Sequence, residues 1–384
     1  MVSERAAVVE TERIARLGGI NDEFDNLAAA TGALKDAILA LPYGNGSRYY
    51  REPGYFSNVA AFAPVFDYVV SELGCAAGGR ILDIGADLTW STAQLAKRGF
   101  EAVAIDINHH LPVASVFQES GPRYACVNVD MHARAFGDAS FDGVTAFNAL
   151  HHTGRLQALA DNIARVLKPG GRLGFVEPYC LDAARKADFG AAQSACGVNE
   201  HVYLLEEWHF AFVSAGLELV TFLLTDSFNA IYRKPAAARA RALTSVVQAR
   251  EALFADYYDA ALSVGPLHDQ SAEAGDRLQI PVHVVNQGRA GWASVGAMPV
   301  YLSYHLSRVD RTNVTLVAFD NPRVSFPAFL GPGQSIVLSL DIQVPSDVGE
   351  YLAEIDLVHE GQTWFVGRGV RPETVRIAVR HSSP

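Results

Sequence analysis

Two patterns of apolar and polar positions divide the chain. From Arg80 to about Lys234, short apolar runs alternate with segments in which apolar residues recur every three or four positions. Such runs are typical of buried parallel strands, and the longer spacing is typical of the helices that cover them. After about Gly265, short alternating segments are separated by Gly, Pro, Asn and Asp. The sequence therefore predicts an α/β domain followed by an all-β sandwich.

The α/β region predicts a Rossmann-like sheet with five main strands and two closing strands, for which an antiparallel pair is one arrangement. In chain order the predicted strands are RILDIG, EAVAIDI, YACVNVD, FDGVTAFNAL, RLGFVEP, LELVTFLL and SFNAIYRK. The predicted helices are STAQLAKRG, LQALADNIARVLKPGG and LEEWHFAFVSAGL.

The length of 384 residues suggests more than one domain. We predict an N-terminal helical cap over 1–74, which contains a loop, YGNGSRYYREPGYFS, and a last helix that ends at Gly74. The predicted Rossmann-like domain covers 75–235. An alanine-rich connecting helix over 236–264 then leads to the sandwich over 265–384.

Charge and composition narrow the class of protein. The net charge of −11 disfavours nucleic acid as a partner, because phosphate binding needs a basic surface. The first residues lack the apolar segment of a signal peptide, and no apolar run approaches the length of a membrane span. The four cysteines show no zinc-binding spacing, so reduced thiols are expected. These observations predict a cytoplasmic protein without a membrane span.

Polar residues follow the predicted strands where a ligand could bind. Asp83, Asp106, Asp130 and His151 each come at or just after an apolar run, and open α/β sheets bind ligands beyond the carboxyl ends of their strands. Asp106 can accept hydrogen bonds from both hydroxyls of a ribose. Asp130 can accept from an adenine amine, while Met131 packs on the ring.

These segments resemble the class I S-adenosylmethionine-dependent methyltransferases. The resemblance rests on ILDIGA, VAIDIN, VNVDM, SFDGVTAFNALHH and RVLKPGGRLGFVEP, whose order and spacing agree through four successive strands. It covers residues 80–177 well and extends more loosely to Lys234. It implies a Rossmann-like fold, transfer of a methyl group and S-adenosyl-L-methionine as the cofactor.

The resemblance also assigns roles to individual positions. Asp83 and Gly85 would shape the turn under the methionine part, and Ala146 and Phe147 would lie near the sulfonium. The complete set of expected cofactor-binding residues is Asp83, Gly85, Asp87, Asp106, Ile107, Asp130, Met131, Ala146 and Phe147.

The turn after the first strand departs from the family pattern. Where the family has Asp-x-Gly-x-Gly-x-Gly, this chain has Asp83, Gly85, Asp87 and Thr89. One hypothesis is a decayed site. The other is a variant turn in which Asp87 adopts the left-handed conformation and accepts a hydrogen bond from the methionine ammonium. In this variant, Thr89 or Ser91 would cap the next helix.

The acceptor side is expected to carry a histidine base, because a hydroxyl acceptor must lose a proton during methyl transfer. His152 or His151 is the preferred base, followed by His201, and Glu200 could orient a histidine. A metal site built from Asp130, His132 and the histidine pairs is an alternative that the spacing does not support, and we predict no metal. Other histidines near the strand ends are His109, His110 and His132.

An aromatic loop precedes the sheet domain and contains Tyr49, Tyr50, Tyr55 and Phe56. Both ordinary packing and a lid over the acceptor are compatible with its composition.

The C-terminal region resembles the immunoglobulin-like sandwiches attached to bacterial polysaccharide-biosynthesis enzymes. The resemblance rests on Asn286, Trp292, LSYHL, GPGQS and EGQTWF, which contains Trp364. We expect both tryptophans in the core rather than as platforms for sugar rings. Glycan binding and dimerisation remain open for this domain.

Together these features predict a methyltransferase that acts on a hydroxyl of a sugar or glycan in polysaccharide biosynthesis. Its expected partners are a small-molecule or glycan acceptor and, as one arrangement, a second copy in a homodimer. The alternatives are a non-catalytic scaffold with a glycan-binding or dimerising sandwich and a natural-product methyltransferase.

Overall fold

The protein is described here from a computed structural model. The described residues are 53–87, 89–107, 121–184, 186–187, 201–237, 243–296, 298–311 and 313–381. They form two compact units, of which the second comprises Thr221–Asp226 and the residues from Glu251 onward. The predicted helices before residue 53 lie outside the described residues.

The first unit is built on a largely parallel sheet. Its helices are α1 (Pro53–Leu73), α2 (Trp90–Lys97), α3 (Leu156–Val166) and α4 (Leu205–Ser214). Its strands are β1 (Arg80–Ile84), β2 (Glu101–Asp106), β3 (Ala125–Asn128), β4 (Phe141–Phe147), β5 (Leu167–Glu177), β6 (Tyr179–Cys180), β7 (Tyr203–Leu204), β8 (Glu218–Leu224), whose second half belongs to the second unit, and β9 (Phe228–Arg233).

Strand order places the ligand-binding edge of the sheet. The order is β8-β9-β5-β4-β1-β2-β3, and β5 pairs antiparallel with β9. Strand β1 pairs in parallel with β2 on one side and with β4 on the other, so that Ile84 lies beside Ile105 and Ala146. Because the direction of winding reverses at β1, the carboxyl ends of β1, β2 and β4 meet where such sheets bind ligands. The predicted Rossmann-like sheet is confirmed.

Helix α1 begins earlier than the sequence predicts. The helix starts at Pro53, so the end of the predicted loop is helical; proline is tolerated in a first turn, where its missing N–H would be unpaired anyway. Val69 packs against Val176 and Ile231 of the sheet. A Cβ on Gly174 would lie 2.7 Å from Val69 Cγ1. Close packing of α1 on β5 therefore requires glycine at this position.

The second unit contains two sheets. Its strands are β10 (Ala260–Ser263), β11 (Asp269–Glu273), β12 (Arg277–Asn286), β13 (Ala290–Gly291), β14 (Val300–Asp310), β15 (Asn313–Ala318), β16 (Val324–Ser325), β17 (Ser335–Gln343), β18 (Gly349–His359), β19 (Thr363–Trp364) and β20 (Glu373–Arg380). One sheet has the order β10-β12-β17 and the other β11-β20-β18-β14-β15.

The predicted connecting helix is shorter than expected. Helix α5 covers only Val246–Tyr257, and Ala260–Ser263 forms strand β10 instead. The second half of α5, residues 251–257, belongs to the second unit. Tyr257 explains this, since its side chain is buried and its carbonyl accepts a hydrogen bond from the Trp292 indole at 3.0 Å.

The inner faces of the two sheets form a sandwich core. Every second residue over much of β17 and β20 is buried, and the Tyr304 hydroxyl accepts a hydrogen bond from the backbone of Gln343 at 3.0 Å. Trp292 is fully buried, as predicted for a core residue. Trp364 is half-buried, with its ring centroid 4.0 Å from that of His305. The immunoglobulin-like assignment stays a prediction.

None of the helices in the described part of the chain is long and apolar enough to cross a bilayer.

Candidate functional site

The turn after β1 has the left-handed backbone conformation of a glycine-rich motif, although only one of its three glycines is present. Gly85, Asp87 and Thr89 all have positive φ angles, of 66°, 41° and 65°. These are the positions at which the family pattern has three glycines. Of the three positions, only Gly85 has no room for a side chain, because a Cβ there would lie 2.2 Å from Ala149 Cβ. Asp87 adopts the left-handed conformation that the variant-turn hypothesis expects.

Tertiary contacts hold the two substituted positions. The Asp87 backbone N–H donates to Asp106 Oδ2 at 2.8 Å. Thr89 is fully buried, and its hydroxyl lies 2.7 Å from the Tyr124 hydroxyl. Left-handed backbone costs a β-branched residue on the order of 1–3 kcal/mol, which such contacts offset.

Neither expected helix cap is present. The Thr89 hydroxyl makes no cap hydrogen bond. The Ser91 and Thr92 hydroxyls donate instead to Asp83 Oδ2, both at 2.6 Å. The prediction that Thr89 or Ser91 caps this helix is therefore wrong, because an acid on the preceding strand binds the hydroxyls of its first turn.

Asp83 connects three elements beneath the turn. Besides the two α2 hydroxyls, its Oδ1 accepts from the Thr145 hydroxyl of β4 at 2.8 Å. The side chain is buried; burial raises its pKa, and the three hydroxyl donors act in the opposite direction. This carboxyl group fixes β1, α2 and β4 relative to one another.

Two further acids lie beyond neighbouring strands. Asp106 ends β2, and one of its oxygens accepts the Asp87 N–H, with Ile107 next in the chain. Asp130 follows β3 and is nearly buried. The carbonyl of Met131, the next residue, accepts from Asn162 on α3 at 2.9 Å. The strand order brings these predicted residues to one edge of the sheet.

The end of β4 lies against helix α1. Ala146 is fully buried. The ring centroid of Phe147 lies 5.4 Å from that of Phe62 and 5.1 Å from that of Phe66. Aromatic side chains of α1 therefore reach the place where the resemblance expects the sulfonium.

Glu177 is the centre of the turn that follows β4. It is completely buried at the end of β5, and its Oε1 accepts the backbone N–H groups of Ala149 and Leu150 at 2.9 and 2.8 Å. Its Oε2 accepts the His151 backbone N–H at 3.2 Å and lies 2.7 Å from His151 Nδ1. One carboxyl group thus shapes the 3-10 turn Leu150–His152 and holds the His151 ring.

This contact fixes the tautomer of His151. An ionised carboxylate can only accept hydrogen bonds, so Nδ1 carries the proton that binds Glu177. In the neutral ring, Nε2 then carries the lone pair and can receive a proton. Such an oriented imidazole is the usual arrangement of a general base.

The other predicted bases lie close to His151. The ring centroids of His151 and His152 are 4.2 Å apart. The His201 backbone N–H donates to the His151 carbonyl at 3.1 Å. The structure therefore brings all three histidines together. Glu200, His109, His110, Tyr49 and Tyr50 lie outside the described residues, as do the side chains of Tyr55 and Phe56.

Glu177 and Tyr124 are absent from the predicted site. The strand-end rule that identified Asp106 does place Glu177 at the end of the fifth main strand, but it gives no role for this side chain. Tyr124 gives no such signal, because its partner Thr89 is 35 positions away.

Within the described ranges, no group of three or more His, Cys, Asp or Glu side chains is arranged to hold a metal ion.

Comparison with known proteins shows that part of the first unit is similar to methyltransferases. The family described as a methyltransferase domain matches residues 82–175, which lie within the segment that carries the resemblance. Two relatives are named as O-methyltransferases. The rstn1 O-methyltransferase of Aspergillus nomiae is 38% identical over 112 residues, which are 28% of this chain and 49% of that protein. The ubiquinone biosynthesis O-methyltransferase of Xanthomonas oryzae is 32% identical over 155 residues, which are 38% of this chain and 63% of that protein.

The similarity covers only part of each protein. The chain spans 30% of the biotin biosynthesis bifunctional protein BioHC of Cellvibrio japonicus, which is 29% identical over 157 residues, or 41% of this chain. Among solved structures, phosphoethanolamine N-methyltransferase 2 of Haemonchus contortus, in complex with S-adenosylhomocysteine, has a TM-score of 0.40 and 19% identity. It covers 50% of this chain and 47% of its own. Residues 82–175 are thus similar to the methyltransferase domain family.

Proposed function

We propose that this chain transfers the methyl group of S-adenosylmethionine to a hydroxyl oxygen of a sugar or glycan, with His151 as the general base. The observation that carries the proposal is the hydrogen bond between His151 Nδ1 and the buried Glu177, at 2.7 Å. A carboxylate that orients an imidazole is needed when the acceptor must lose a proton.

The strand ends fit the cofactor in this proposal. Bound S-adenosylmethionine supplies an electrophilic methyl group on a sulfonium sulfur. Asp106 holds the ribose hydroxyls, and Asp130 binds the adenine amine. Asp87 accepts from the methionine ammonium. The left-handed turn at Gly85, Asp87 and Thr89 supports this fit, because its backbone follows the glycine pattern of the family.

The base step follows from the tautomer of His151. Bound S-adenosylmethionine would give its methyl group to the acceptor oxygen and would leave as S-adenosylhomocysteine. His151 Nε2 takes the hydroxyl proton, and Glu177 stabilises the imidazolium that forms. His152 and His201 line the same place and orient the acceptor.

A sugar or glycan acceptor is supported by the second unit, whose sequence resembles sandwiches found on polysaccharide-biosynthesis enzymes. A small natural-product acceptor is the second candidate, supported by relatives named O-methyltransferase rstn1 and ubiquinone biosynthesis O-methyltransferase. Incubation with methyl-labelled cofactor and separate panels of sugar nucleotides, oligosaccharides and phenols decides between them. Label on the phenols alone contradicts the sugar proposal.

The base assignment is tested with His151→Asn. We expect kcat to fall about 10²–10⁴-fold, as for loss of a general base, while the Kd for S-adenosylhomocysteine measured by calorimetry stays within about twofold. The matched control is His268→Asn, an exposed histidine of the second unit, and it should keep wild-type kcat. A larger loss in His152→Asn than in His151→Asn would assign the base to His152.

The scaffold alternative is tested by cofactor binding. We expect S-adenosylhomocysteine to raise the Tm of the wild type, since a ligand that binds only the folded state stabilises it. Asp106→Asn should weaken this shift. No shift at millimolar ligand, with Asp106→Asn unchanged from the wild type, would contradict the enzyme proposal.

A further inference from the structure

His132 makes an unusual double contact with Asp130. The His132 backbone N–H donates to Asp130 Oδ1 at 2.6 Å, and His132 Nδ1 lies 2.8 Å from the same oxygen. Asp130 is 6% exposed. Among the described residues, the structure records hydrogen bonds to this carboxylate at Oδ1 only. One oxygen is therefore held by a single neighbouring residue, and the other is left for a different donor.

The other ring nitrogen of His132 is also held. Nε2 lies 2.7 Å from the hydroxyl of Thr153, which is buried beyond the turn after β4. The same Thr153 oxygen accepts the Arg155 backbone N–H at 2.9 Å, and the Thr153 carbonyl accepts the Tyr203 hydroxyl. The imidazole is thus fixed between the end of β3 and the segment that follows β4, and it has little freedom to turn.

We propose that His132 is a positioning residue that fixes the Asp130 carboxylate so that its second oxygen accepts a hydrogen bond from the adenine amine of the cofactor. The proposal rests on Asp130 as the adenine contact, which belongs to the proposed function. An aspartate side chain rotates about two bonds, and a weakly held carboxylate pays ordering entropy when a ligand binds. Holding Oδ1 with two donors removes this cost before the cofactor arrives.

Two substitutions of His132 test its contacts with Asp130 and with Thr153 separately. The side-chain amide of His132→Asn reaches about as far as Nδ1, so it keeps the contact with Asp130 and loses that with Thr153. The longer His132→Gln places its amide near the position of Nε2, so it keeps the contact with Thr153 and loses the side-chain contact with Asp130. The backbone N–H contact with Asp130 remains in every variant. If the ring served the fold alone, both substitutions would weaken cofactor binding equally. If His132 positions Asp130, only loss of the side-chain contact with Asp130 weakens recognition of the cofactor.

The readout is recognition of the adenine amine. S-adenosylhomocysteine and S-inosylhomocysteine differ at this group, because inosine presents an oxygen acceptor where adenosine presents an amine donor. We expect the wild type to bind S-adenosylhomocysteine at least about tenfold more tightly by calorimetry, since hydrogen bonds to charged groups discriminate strongly. His132→Asn should retain this ratio, and His132→Gln and His132→Leu should reduce it to about twofold or less.

Several results would overturn the proposal. Full discrimination by His132→Leu shows that Asp130 needs no positioning, and loss in His132→Asn but not His132→Gln shows that the Thr153 side matters instead. Discrimination that survives in Asp130→Asn removes Asp130 as the contact. No binding of either ligand by the wild type overturns the cofactor assignment as well. Every variant is compared at equal folded fraction by circular dichroism, and the measurement needs no acceptor.

Discussion

Both compact units bury an imidazole and a carboxyl group, but only the first unit joins them. Glu177 and His151 are 0% and 7% exposed, and their side chains are hydrogen bonded at 2.7 Å. In the second unit, Asp356 and His359 are both 1% exposed and belong to the same strand, β18. They are three positions apart, and successive side chains of a strand alternate between faces, so these two point to opposite faces of the sheet.

In the second unit, Asp356 and His359 have different hydrogen-bond partners. Asp356 accepts the backbone N–H groups of Leu357 and Val366, both at 2.8 Å. His359 Nδ1 lies 2.8 Å from the Tyr258 hydroxyl. Neither group therefore has a charged side chain as its hydrogen-bond partner among these contacts.

The difference shows what burial does without pairing. Burial raises the pKa of Asp356 to about 6 and lowers the pKa of His359 to about 4. Both shifts favour the neutral form, as expected for a titratable group removed from water. In the first unit the carboxyl group and the imidazole are instead hydrogen bonded to each other at 2.7 Å. The same two residue types are thus hydrogen bonded to each other in one unit and held by separate partners in the other.

The largest expected effect comes from breaking the pair with Glu177→Gln. The amide has a single acceptor oxygen, so either the Ala149 and Leu150 N–H groups or the His151 ring faces its NH2 group instead, which disturbs the orientation of the ring. We expect kcat to fall about 10²–10⁴-fold, with S-adenosylhomocysteine still bound. Glu218→Gln, at an exposed ion pair with Arg233, is the matched control. A kcat within twofold of the wild type would exclude Glu177 from the reaction.

The sequence predicts the strand ends well and the contacts between them poorly. Asp83, Asp106 and Asp130 follow from apolar runs that end in an acid, a local pattern. That Thr89 stays in a left-handed turn depends on Tyr124, and no rule of spacing connects the two. The sequence shows that Asp87 and Thr89 replace two glycines of the motif. It does not show whether the turn keeps the left-handed backbone conformation at these positions.

The extent of the connecting helix could not be predicted for a similar reason. Helix-forming residues continue to Leu262, but Ala260–Ser263 pairs with β12. Strand pairing with a distant partner outweighs a helix propensity that differs by well under 1 kcal/mol per residue. Trp292 lies in the core as predicted, whereas Trp364, which was expected there on the same grounds, is only half-buried.

In the second unit, the stability of Asp356→Asn should depend on pH mainly through the titration of His359. The pKa of His359 is about 4 in the folded state and about 6.5 when unfolded, so its contribution is present above 6.5 and lost as pH falls through 4. The variant should lose about 3 kcal/mol of stability between pH 7 and pH 4. Hydrogen exchange of β18, corrected for intrinsic rates, measures this against β4 as an internal reference.

The wild type should change less over the same range. The pKa of Asp356 is raised to about 6, so its contribution is present below about 4 and lost as pH rises through 6. The two contributions have opposite signs and largely cancel. A wild type that loses as much stability as Asp356→Asn would contradict this compensation.

His359→Gln should show the opposite slope. With the imidazole removed, the variant keeps only the Asp356 contribution and should lose about 2 kcal/mol as pH rises from 4 to 7. The same exchange measurement on β18 tests this. Equal slopes for His359→Gln and Asp356→Asn would show that neither shift comes from these groups. Since neither residue lies in the first unit, binding of S-adenosylhomocysteine should be unchanged in both.

The smallest expected effect separates the two tyrosines beside His359. The Tyr258 hydroxyl lies 2.8 Å from Nδ1, whereas the Tyr257 hydroxyl is 3.5 Å from Nε2. Tyr258→Phe should therefore cost about 1–2 kcal/mol of stability in β18, because it leaves a buried ring nitrogen without its partner. Tyr257→Phe keeps the ring that stacks on His359 and should cost less. A larger cost for Tyr257→Phe would contradict the assignment of Tyr258 as the main partner of the His359 ring.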